Sequence, residues 1–416
     1  MAEDVKVPEG WRRVRLGEIA KVVSGFGFPT KYQGRDSGDY PFIKVEDLNR
    51  ASKYIISADN YIDKATVDLL KAKIFPPRTI IFPKIGMALY HNKYRILKVF
   101  GTFDNNIAGI ILTKGSSEFL YYYFLWTVDL KRIAGETAVP SVKKSSLELI
   151  PIIFPPLPEQ RKIAEILETV DNAIEKTDRI IEKYKRIKQG LMQDLLTRGI
   201  AESDELGVMS YELRDEKKHR FKDSPLGRIP EEWEVVELGE VFKLKSGMTR
   251  PCDTSESGNY PIYGGNGILG YTNEKNFDIE TIIIGRVGEY CGVVYIASGG
   301  WVTDNALYVV VKKRDYNNLF LCYLLNYVNL NQYSAETGQP LMTQSIVYKI
   351  QIPLPPLPEQ HRIASILSQI DEAIEKEQKY KEKLERIKRG LMEDLLTGKV
   401  RVNELIGGGK NIDNQN

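Results

Sequence analysis

The most regular alternation of apolar and polar residues lies in two segments that end near residues 197 and 397. Each segment opens with the proline-rich sequence PPLPEQ, from Pro155 and from Pro355, and contains no further proline before its end. Proline is tolerated in the first turn of a helix but breaks a helix interior. Each segment therefore predicts one helix of about 38 residues, roughly 57 Å long at 1.5 Å per residue.

Within both segments, apolar residues recur at alternating steps of three and four, which is the spacing of a coiled-coil seam. Because both seams occur in one chain, we expect the two helices to pair antiparallel about an approximate two-fold axis. The alternative is that each helix packs separately on its own domain. Thr177 and Glu377 place a polar residue at the same seam position, where it can fix the register. The predicted seam comprises Ile166, Val170, Ala173, Ile180, Tyr184, Ile187 and Leu191 with Ile366, Ile370, Ala373, Tyr380, Leu384, Ile387 and Leu391.

Outside these helices, short apolar runs between glycine-rich loops predict domains of mixed α and β structure. The predicted strands are TIIF from Thr79, IAGIIL from Ile107, TIII from Thr281 and LYVVV from Leu307. The predicted helices cover residues 62–73, 117–134 and 316–333. The predicted fold class is therefore two α/β (α+β) domains separated by two long, antiparallel helices, with a pseudo-two-fold internal repeat.

The chain repeats itself at a spacing of 200 residues. Residues 155–197 and 355–397 are identical at 27 of 43 positions, and the segments before them match more weakly. This pattern indicates one scaffold that carries two specificities, although a duplication that drifted without a change of function would look the same. The predicted order is a first domain (1–154), a helical region (155–198), a polar linker (199–229), a second domain (230–354), a second helical region (355–398) and a flexible tail (399–416).

The charge of the two halves differs more than the net charge of +2 suggests. Residues 8–154 hold 22 Lys and Arg against 14 Asp and Glu, whereas residues 230–354 hold 9 against 14. The chain start, MAEDVKV, lacks the apolar core of a secretory signal, and the aromatic run LYYYFLW is too short to span a membrane. We therefore expect a cytoplasmic protein.

The sequence offers little for chemistry of its own. Cys252, Cys291 and Cys322 form no CxxC pair, and the three histidines lie far apart, so no metal site is predicted. GxxxxGK[ST] is absent, and the glycines of SGFGF at 24–28 are followed by Pro29. We therefore predict a protein that is not an enzyme and has no catalytic residues, cofactor or metal.

The glycine-rich loops carry the kinds of side chain that contact DNA. Arg, Lys, Asn and Gln read base edges, and Lys, Arg, Ser and Thr hold phosphates. Lys84 and Arg286 stand out because they follow matching strands in the two halves, although either could be an exposed charge that blunts a strand end. The candidate DNA-binding residues are Lys31, Lys84, His91, Asn92, Lys93, Lys143, Lys144, Arg250, Asn266, Arg286, Thr343 and Gln344.

Taken together, these motifs resemble those of type I restriction-modification specificity subunits. The resemblance rests on PLPEQRKIAEIL with LMQDLLT, repeated as PLPEQHRIASIL with LMEDLLT, and on the preceding WRRVRLGEIAKVVSG and WEVVELGEVFKLKSG. YPIYGGNGILGY, IIIGRVG and TDNAL also fit that family, but the first domain has HNKYR after KIG and no YGGNG-type loop. The resemblance covers nearly the whole chain.

The resemblance implies that each domain reads one half of a bipartite, asymmetric DNA site, while the paired helices set the spacer between the halves. It also implies docking of two modification subunits, which use S-adenosylmethionine to methylate adenine N6, and of restriction subunits, which use ATP and Mg. Two rival classes are a coiled-coil protein-interaction scaffold without DNA readout and a self-sufficient nuclease or methyltransferase. The second rival is disfavoured by the absent motifs.

Overall fold

The chain folds as two compact units in the computed structural model. Unit 1 comprises Met1–Asp178 and Tyr380–Asn416, and unit 2 comprises Arg179–Lys379. Each unit therefore contains one of the two repeated domains together with half of each long helix. The structure describes residues 7–134, 139–205, 208–252, 254 and 258–407.

The first domain consists of short strands and helices that follow one another closely. In chain order they are β1 (Arg12–Arg15), α1 (Leu16–Ile19), β2 (Ala20–Ser24), β3 (Tyr40–Ile43), α2 (Val45–Arg50), β4 (Tyr54–Ile55), β5 (Tyr61–Ile62), α3 (Lys64–Leu70), β6 (Ile80–Pro83), β7 (Arg95–Leu97), β8 (Thr102–Phe103), β9 (Ile107–Leu112), α4 (Ser117–Thr127), α5 (Leu130–Ala134), α6 (Lys144–Glu148) and β10 (Pro151–Phe154). Short 3-10 turns lie at Thr30–Tyr32 and Met87–His91.

The first domain is built on a five-stranded sheet in the order β2-β9-β6-β7-β4. Its neighbours pair antiparallel except β4 and β7, and a smaller sheet has the order β5-β3-β8, with β3 parallel to β8. The end strands β1 and β10 pair with each other. The aromatic helix α4 is buried against this core, which explains why LYYYFLW is apolar without spanning a membrane.

The long helix α7 (Leu157–Thr197) leads into the second half of the chain. There the elements are β11 (Ile200–Glu205), β12 (Val208–Leu213), β13 (Phe221–Ser224), β14 (Gly227–Pro230), β15 (Glu234–Glu237), α8 (Leu238–Val241), β16 (Phe242–Ser246), β17 (Tyr260–Gly264), β18 (Gly267–Thr272), β19 (Phe277–Gly285), β20 (Val294–Val302), β21 (Ala306–Lys312), α9 (Asn318–Val328), β22 (Ala335–Thr337), β23 (Gln339–Leu341), α10 (Gln344–Tyr348), β24 (Gln351–Leu354), the long helix α11 (Leu357–Thr397) and α12 (Asn403–Gly407).

The second domain repeats the topology of the first. Its six-stranded sheet has the order β16-β21-β19-β20-β17-β18, and β15 pairs with β24 as β1 pairs with β10. The nine-residue strand β20 replaces the two shorter strands β7 and β8 of the first domain. The two domains differ most after β3 and β17, where the first continues into α2 and the second into a hairpin with β18. Divergent content on one scaffold is the arrangement that the repeat predicts.

The predicted strands are confirmed as β6, β9, β19 and β21. The predicted helices are shorter than expected. Only Lys64–Leu70 of 62–73 is helical, and 117–134 is interrupted between α4 and α5. Residues 316–333 are interrupted at Asn329, whose φ of 54° is left-handed and cannot continue a right-handed helix.

The long helices pair antiparallel, as predicted. Within unit 1, Asp171 lies 2.6 Å from Lys388 and Asp178 lies 2.6 Å from Lys381. Within unit 2, Lys188 lies 2.6 Å from Asp371. The partner number falls as the residue number rises, which defines the antiparallel register. Asp171–Lys388 and Asp371–Lys188 are the same contact in the two copies.

Part of the predicted seam is wrong. Ile187, Tyr380 and Ile387 are 38%, 50% and 42% exposed, because each half-helix turns its most apolar face to its own domain core and not along one continuous seam. Thr177 is buried, whereas Glu377 at the equivalent position is only partly buried. Leu384 of the predicted seam is buried, as Thr177 is, but the other buried apolar positions of the two helices are not predicted seam residues: Ile163, Ala164, Leu167, Ile181, Leu195, Leu196, Ile363, Ala364, Leu367, Met392, Leu395 and Leu396.

The predicted linker and residues 399–407 of the predicted tail are more ordered than expected, and residues 408–416 of that tail lie outside the described residues. Residues 199–229 contain two antiparallel pairs, β11–β12 and β13–β14, and Ile200 and Ile229 join the core of unit 2. After α11, Val402 is 1% exposed and joins the core of unit 1, followed by α12. Polar composition concealed these elements because few apolar residues anchor each of them. Across the described part of the chain, no helix is both long and apolar enough to cross a membrane.

Candidate nucleic-acid interface

The strands β6 and β19 end at equivalent cationic residues, Lys84 and Arg286. The Lys84 N–H donates to the Asn106 carbonyl at 2.8 Å, and the Lys84 carbonyl accepts from the Val142 N–H at 2.9 Å. The Arg286 N–H donates to the Asn305 carbonyl at 2.9 Å, and its carbonyl accepts from the Met342 N–H at 2.8 Å. The backbone of each cation is thus held on both sides in the same way.

In unit 1, Lys84 forms the centre of a basic group. Its Nζ donates to Ser24 Oγ at 2.9 Å, and partial burial lowers the pKa of its ammonium, while Asp104 opposes that shift. Lys143 and Lys144 follow Val142, the residue bonded to the Lys84 backbone, and both are exposed. Lys144 also lies 3.6 Å from Glu148. The group presents three lysines, which suits an anionic partner.

In unit 2, the equivalent positions form a polar cleft with one cation. Arg286, Thr343 and Gln344 line this cleft of about 420 Å³, together with Ser246, Leu307, Ser345 and Tyr348. Thr343 Oγ1 accepts from the Ile346 N–H at 3.3 Å and so also caps α10. Gln344 Nε2 lies 3.5 Å from Ser246 Oγ, the outer limit of a hydrogen bond. We call this group the Arg286 cleft.

Glycines place the two serines. A Cβ at Gly25 would lie 2.0 Å from the Asp104 carbonyl oxygen, and a Cβ at Gly247 would lie 2.0 Å from that of Thr303. Only glycine permits this close approach of the backbone. The preceding residues, Ser24 at the end of β2 and Ser246 at the end of β16, therefore lie beside Lys84 and Arg286. The matching VVSG and LKSG sequences carry this signal in both halves of the chain.

Two further candidates of unit 2 lie on the β17–β18 hairpin or beside it. Asn266 is exposed in the tight turn between the two strands. The preceding Gly265 lies so close to its neighbours that a Cβ added there would be 3.3 Å from Tyr290 and 3.6 Å from Asn305. The turn is therefore close to the residue that holds the Arg286 backbone. Arg250 is exposed and its guanidinium donates to the Leu269 carbonyl at 3.3 Å.

The remaining candidates of unit 1 are not joined to the Lys84 group by side-chain contacts. Lys31 is exposed over the ring of Tyr32. His91 is exposed at the end of a 3-10 turn that follows Lys84. Asn92 Oδ1 accepts from the Leu130 N–H at 3.0 Å, which gives this side chain a structural role. Lys93 Nζ donates to Asn49 Oδ1 at 2.8 Å.

Each domain is fixed to the start of a long helix by a buried glutamate. In unit 2, Glu359 pairs with Arg214 and accepts from Trp233 Nε1 at 3.0 Å and the Ile200 N–H at 2.9 Å. In unit 1, Glu159 accepts from Trp11 Nε1 at 3.2 Å and pairs with Arg401 at 2.8 Å. We call these sets the glutamate anchors. The glutamine that follows each glutamate binds the start of a domain helix. Gln160 accepts from the N–H of Ser116, the N-cap of α4, at 2.9 Å, and Gln360 accepts from the N–H of Asn317, the N-cap of α9, at 3.0 Å.

A second junction lies farther along each helix. Tyr122 of α4 donates to Asp171 at 2.7 Å, and Asp171 also pairs with Lys388. Tyr323 of α9 donates to Asp371 at 2.6 Å, and Asp371 pairs with Lys188. Each junction joins one domain helix to both long helices, so the domain is held in a defined orientation on the pair. The identity of both Asp–Lys pairs in the two copies was a signal that sequence reasoning missed.

The described ranges hold no group of three or more His, Cys, Asp or Glu that could bind a metal ion. Cys291 and Cys322 are buried, and burial raises the pKa of the Cys322 thiol to about 11, so this thiol is a core residue. Cys252 is exposed. The residues that the two copies share are therefore hydrogen-bonding and cationic groups at strand ends, which suit recognition of a polar anion.

Comparison with known proteins agrees with this geometry. The family model described as the type I restriction modification DNA specificity domain matches residues 8–185 and again 230–386. The two matches coincide with the two repeated domains and most of the helix that follows each.

Individual relatives extend the likeness to nearly the full length. A protein of Methanocaldococcus jannaschii, named for the specificity subunit of type I restriction enzyme MjaX, is 30% identical over 95% of both chains. The specificity subunit of type I restriction enzyme MjaVIII from that organism is 28% identical over 96% of this chain and 95% of its own. The solved S subunit of a type I restriction-modification system from M. genitalium superposes with a TM-score of 0.63 at 17% identity, covering 95% of this chain and 97% of its own.

Proposed function

Because this chain belongs to the family of type I restriction-modification DNA specificity subunits, we propose that it reads a bipartite, asymmetric DNA site with one domain on each half. The observation that carries the proposal is the duplicated strand-end position: Lys84 and Arg286 are held by equivalent backbone hydrogen bonds but have different neighbours. Equivalent placement with different chemistry is what two dissimilar half-sites require.

The difference in net charge between the two domains indicates that they bind DNA through different kinds of contact. The first domain has a net excess of eight positive charges and groups Lys143 and Lys144 with Lys84, whereas the second has a net excess of five negative charges. Phosphate neutralisation supplies most non-specific affinity, so the first domain contributes more of it. The second domain depends more on hydrogen bonds to bases and on the partner subunits.

Exchange of one domain tests the assignment of half-sites. We expect that replacing residues 8–154 with the corresponding domain of a relative of known specificity changes one half of the methylated sequence and leaves the other half and the spacer unchanged. The measurement is genome-wide mapping of methylated adenines in cells that carry the chain with its modification subunits. The exchanged chain retains its own residues from Pro155 onwards, including Glu159. The domain that is brought in must therefore have a tryptophan equivalent to Trp11 to complete the glutamate anchor.

The reciprocal exchange of residues 230–354 is the matched control, and it should change the other half-site only. A scaffold without DNA readout predicts that neither exchange alters the methylated sequence. That result, obtained with a complex that still methylates DNA, would refute the proposed function.

The partner surface that we propose is duplicated on the long helices. Arg186, Ile187 and Gly190 recur as Arg386, Ile387 and Gly390, and all six are exposed. A Cβ on either glycine would meet nothing within 4 Å, although glycine costs about 1 kcal/mol relative to alanine in a helix interior. An exposed isoleucine beside a helix glycine in both copies fits the close approach of one identical partner to each unit. We assign these patches to two modification subunits.

We expect Ile187→Asp and Ile387→Asp each to remove one modification subunit, and the double variant to remove both, because a buried carboxylate opposes apolar docking. Native mass spectrometry of the purified complex measures the stoichiometry. Gln189→Asp is the control, since Gln189 is exposed about 200° around the helix from Ile187. Two modification subunits on the double variant would show that docking lies elsewhere.

In this proposal the chain supplies recognition and assembly but no chemistry. S-adenosylmethionine, ATP and Mg are assigned to the modification and restriction subunits. The cationic and hydrogen-bonding groups of the Lys84 group and the Arg286 cleft position DNA for them.

A further inference from the structure

Arg286 is the least satisfied cation of the second domain's candidate surface. It is half-buried, its Nε is shielded from solvent, and within the described residues its guanidinium has neither a hydrogen bond nor an ion pair. The Nε–H therefore gives up hydration without a partner among the described residues. Such a group costs free energy in the unbound protein, and a ligand that supplies acceptors recovers it.

The surroundings of Arg286 define which ligand fits. The cleft is lined by hydroxyl and amide groups from Ser246, Thr343, Gln344 and Ser345, and Arg286 is its only charged lining residue. Its backbone is held by Asn305 and Met342, so the guanidinium projects from a fixed point. A planar donor fork on a fixed base suits a rigid pair of acceptor atoms.

We propose that the Arg286 cleft reads one guanine of the half-site bound by the second domain, through the O6 and N7 atoms of the base edge. This inference rests on the proposed function and adds the base and the residue that reads it. Arginine donating to guanine O6 and N7 is a strong form of direct readout in the major groove. Gln344 and Thr343 line the same cleft and adjoin the base that the guanidinium selects.

A backbone phosphate offers the same acceptor chemistry, and the comparison of the two domains favours the base. The equivalent position in unit 1 combines Lys84 with Lys143 and Lys144, a set whose charge suits phosphate. The Arg286 cleft has Thr343 and Gln344 at the positions of Lys143 and Lys144, within a domain of net negative charge. It therefore combines the planar donor fork of an arginine with less surrounding positive charge than the Lys84 group.

The test uses the full-length chain assembled with its modification subunits and a duplex that contains the mapped site. Each guanine of the second half-site is replaced in turn by 7-deazaguanine, which lacks the N7 acceptor, and each phosphate by a neutral methylphosphonate. We expect one 7-deazaguanine to weaken binding of the native complex by roughly 2- to 12-fold. Arg286→Gln should weaken binding of the unmodified site by roughly 5- to 150-fold and abolish the effect of that 7-deazaguanine.

A structural role for Arg286 would give a different result. Since the guanidinium has no partner to lose among the residues that the structure describes, we expect Arg286→Gln to melt at the temperature of the native chain or above it. A lower melting temperature with unchanged base preference would refute the inference. Lys84→Gln is the matched control and should weaken binding without altering the preference at the second half-site.

The remaining outcomes separate the inference from the proposed function. Coupling of Arg286 to a methylphosphonate and to no guanine would reassign the cleft to phosphate and overturn the inference. Absence of coupling to any modified position would also overturn it. Both results leave two-part recognition intact, whereas a native complex that prefers no sequence would refute the proposed function itself.

Discussion

Glu359→Ala is expected to lower the free energy of unfolding of unit 2 by about 3 kcal/mol, because it leaves the buried guanidinium of Arg214 with the exposed Glu232, 3.2 Å away, in place of its buried partner. Both side chains of the pair are only 9% exposed, so solvent cannot replace the lost carboxylate. The substitution also removes acceptors for Trp233 Nε1 and the Ile200 N–H. Urea unfolding followed by tryptophan fluorescence measures the change, since Trp233 lies in the anchor.

Glu375→Ala is the control, because Glu375 is 62% exposed on the same helix and its ion pair is with a surface lysine, Lys379, which is 71% exposed. Such surface pairs contribute little, and we expect a change within about 0.5 kcal/mol. Arg214→Met with Glu359→Leu provides a second test, since replacing both charges by apolar groups is far less costly than removing one. A loss within about 0.5 kcal/mol for Glu359→Ala, as expected for the control, would show that the anchor contributes nothing to stability.

Insertion of three heptads into each long helix is expected to lengthen the DNA spacer by nine or ten base pairs and to leave both half-sites unchanged. Twenty-one residues add about 31 Å of helix, which is close to one turn of DNA. When the spacer is longer by that amount, the second half-site again lies on the same face of the DNA as the first. The insertions follow Asp178 and Lys379, where each helix passes from one unit to the other in sequence. Competition among duplexes with a series of spacers measures the preference.

A single heptad in each helix is the informative comparison. It preserves the apolar repeat and adds about 10 Å, or three base pairs, but three base pairs rotate the second half-site by roughly 100° around the DNA axis. We therefore expect affinity for every spacer to fall toward the non-specific level, by about 1000-fold or more. If the three-heptad variant kept the original spacer, the helices would not measure distance along DNA.

Sequence reasoning predicted the elements whose signals are local and repeated. Both long helices were predictable because PPLPEQ marks their starts and no proline interrupts them. The strands β6 and β19 were predictable because TIIF and TIII are compact apolar runs. The ordered segment at 199–229 was not, since its strands are rich in polar residues and, among its described residues, Ile200 and Ile229 are the ones that join the core.

The candidate site was predictable in part for the same reason. Lys84 and Arg286 emerged from the repeat, because both follow matching strands. The glutamate anchors did not emerge, since Arg214 and Arg401 lie 145 and 242 residues from their partners Glu359 and Glu159. Nothing local in a sequence marks an arginine as the partner of one distant carboxylate. The seam prediction failed at Ile187 and Ile387 because heptad spacing does not show which apolar residues of a helix pack on its own domain and which face the other helix.

The division of the chain into units has a consequence for synthesis on the ribosome. Unit 2 is one continuous stretch, Arg179–Lys379, whereas unit 1 needs Tyr380 onwards to complete it. At 5–20 residues per second, the intervening 201 residues take roughly 10–40 s to emerge, counted from Arg179 to Lys379. The first domain to leave the ribosome is thus the last to be completed. Until then Glu159 lacks its partner Arg401, and the part of the unit 1 core that Met392, Leu395 and Leu396 cover stays exposed. A nascent chain that stalls before the second long helix ends would therefore have a complete second domain and a first domain whose core is incomplete.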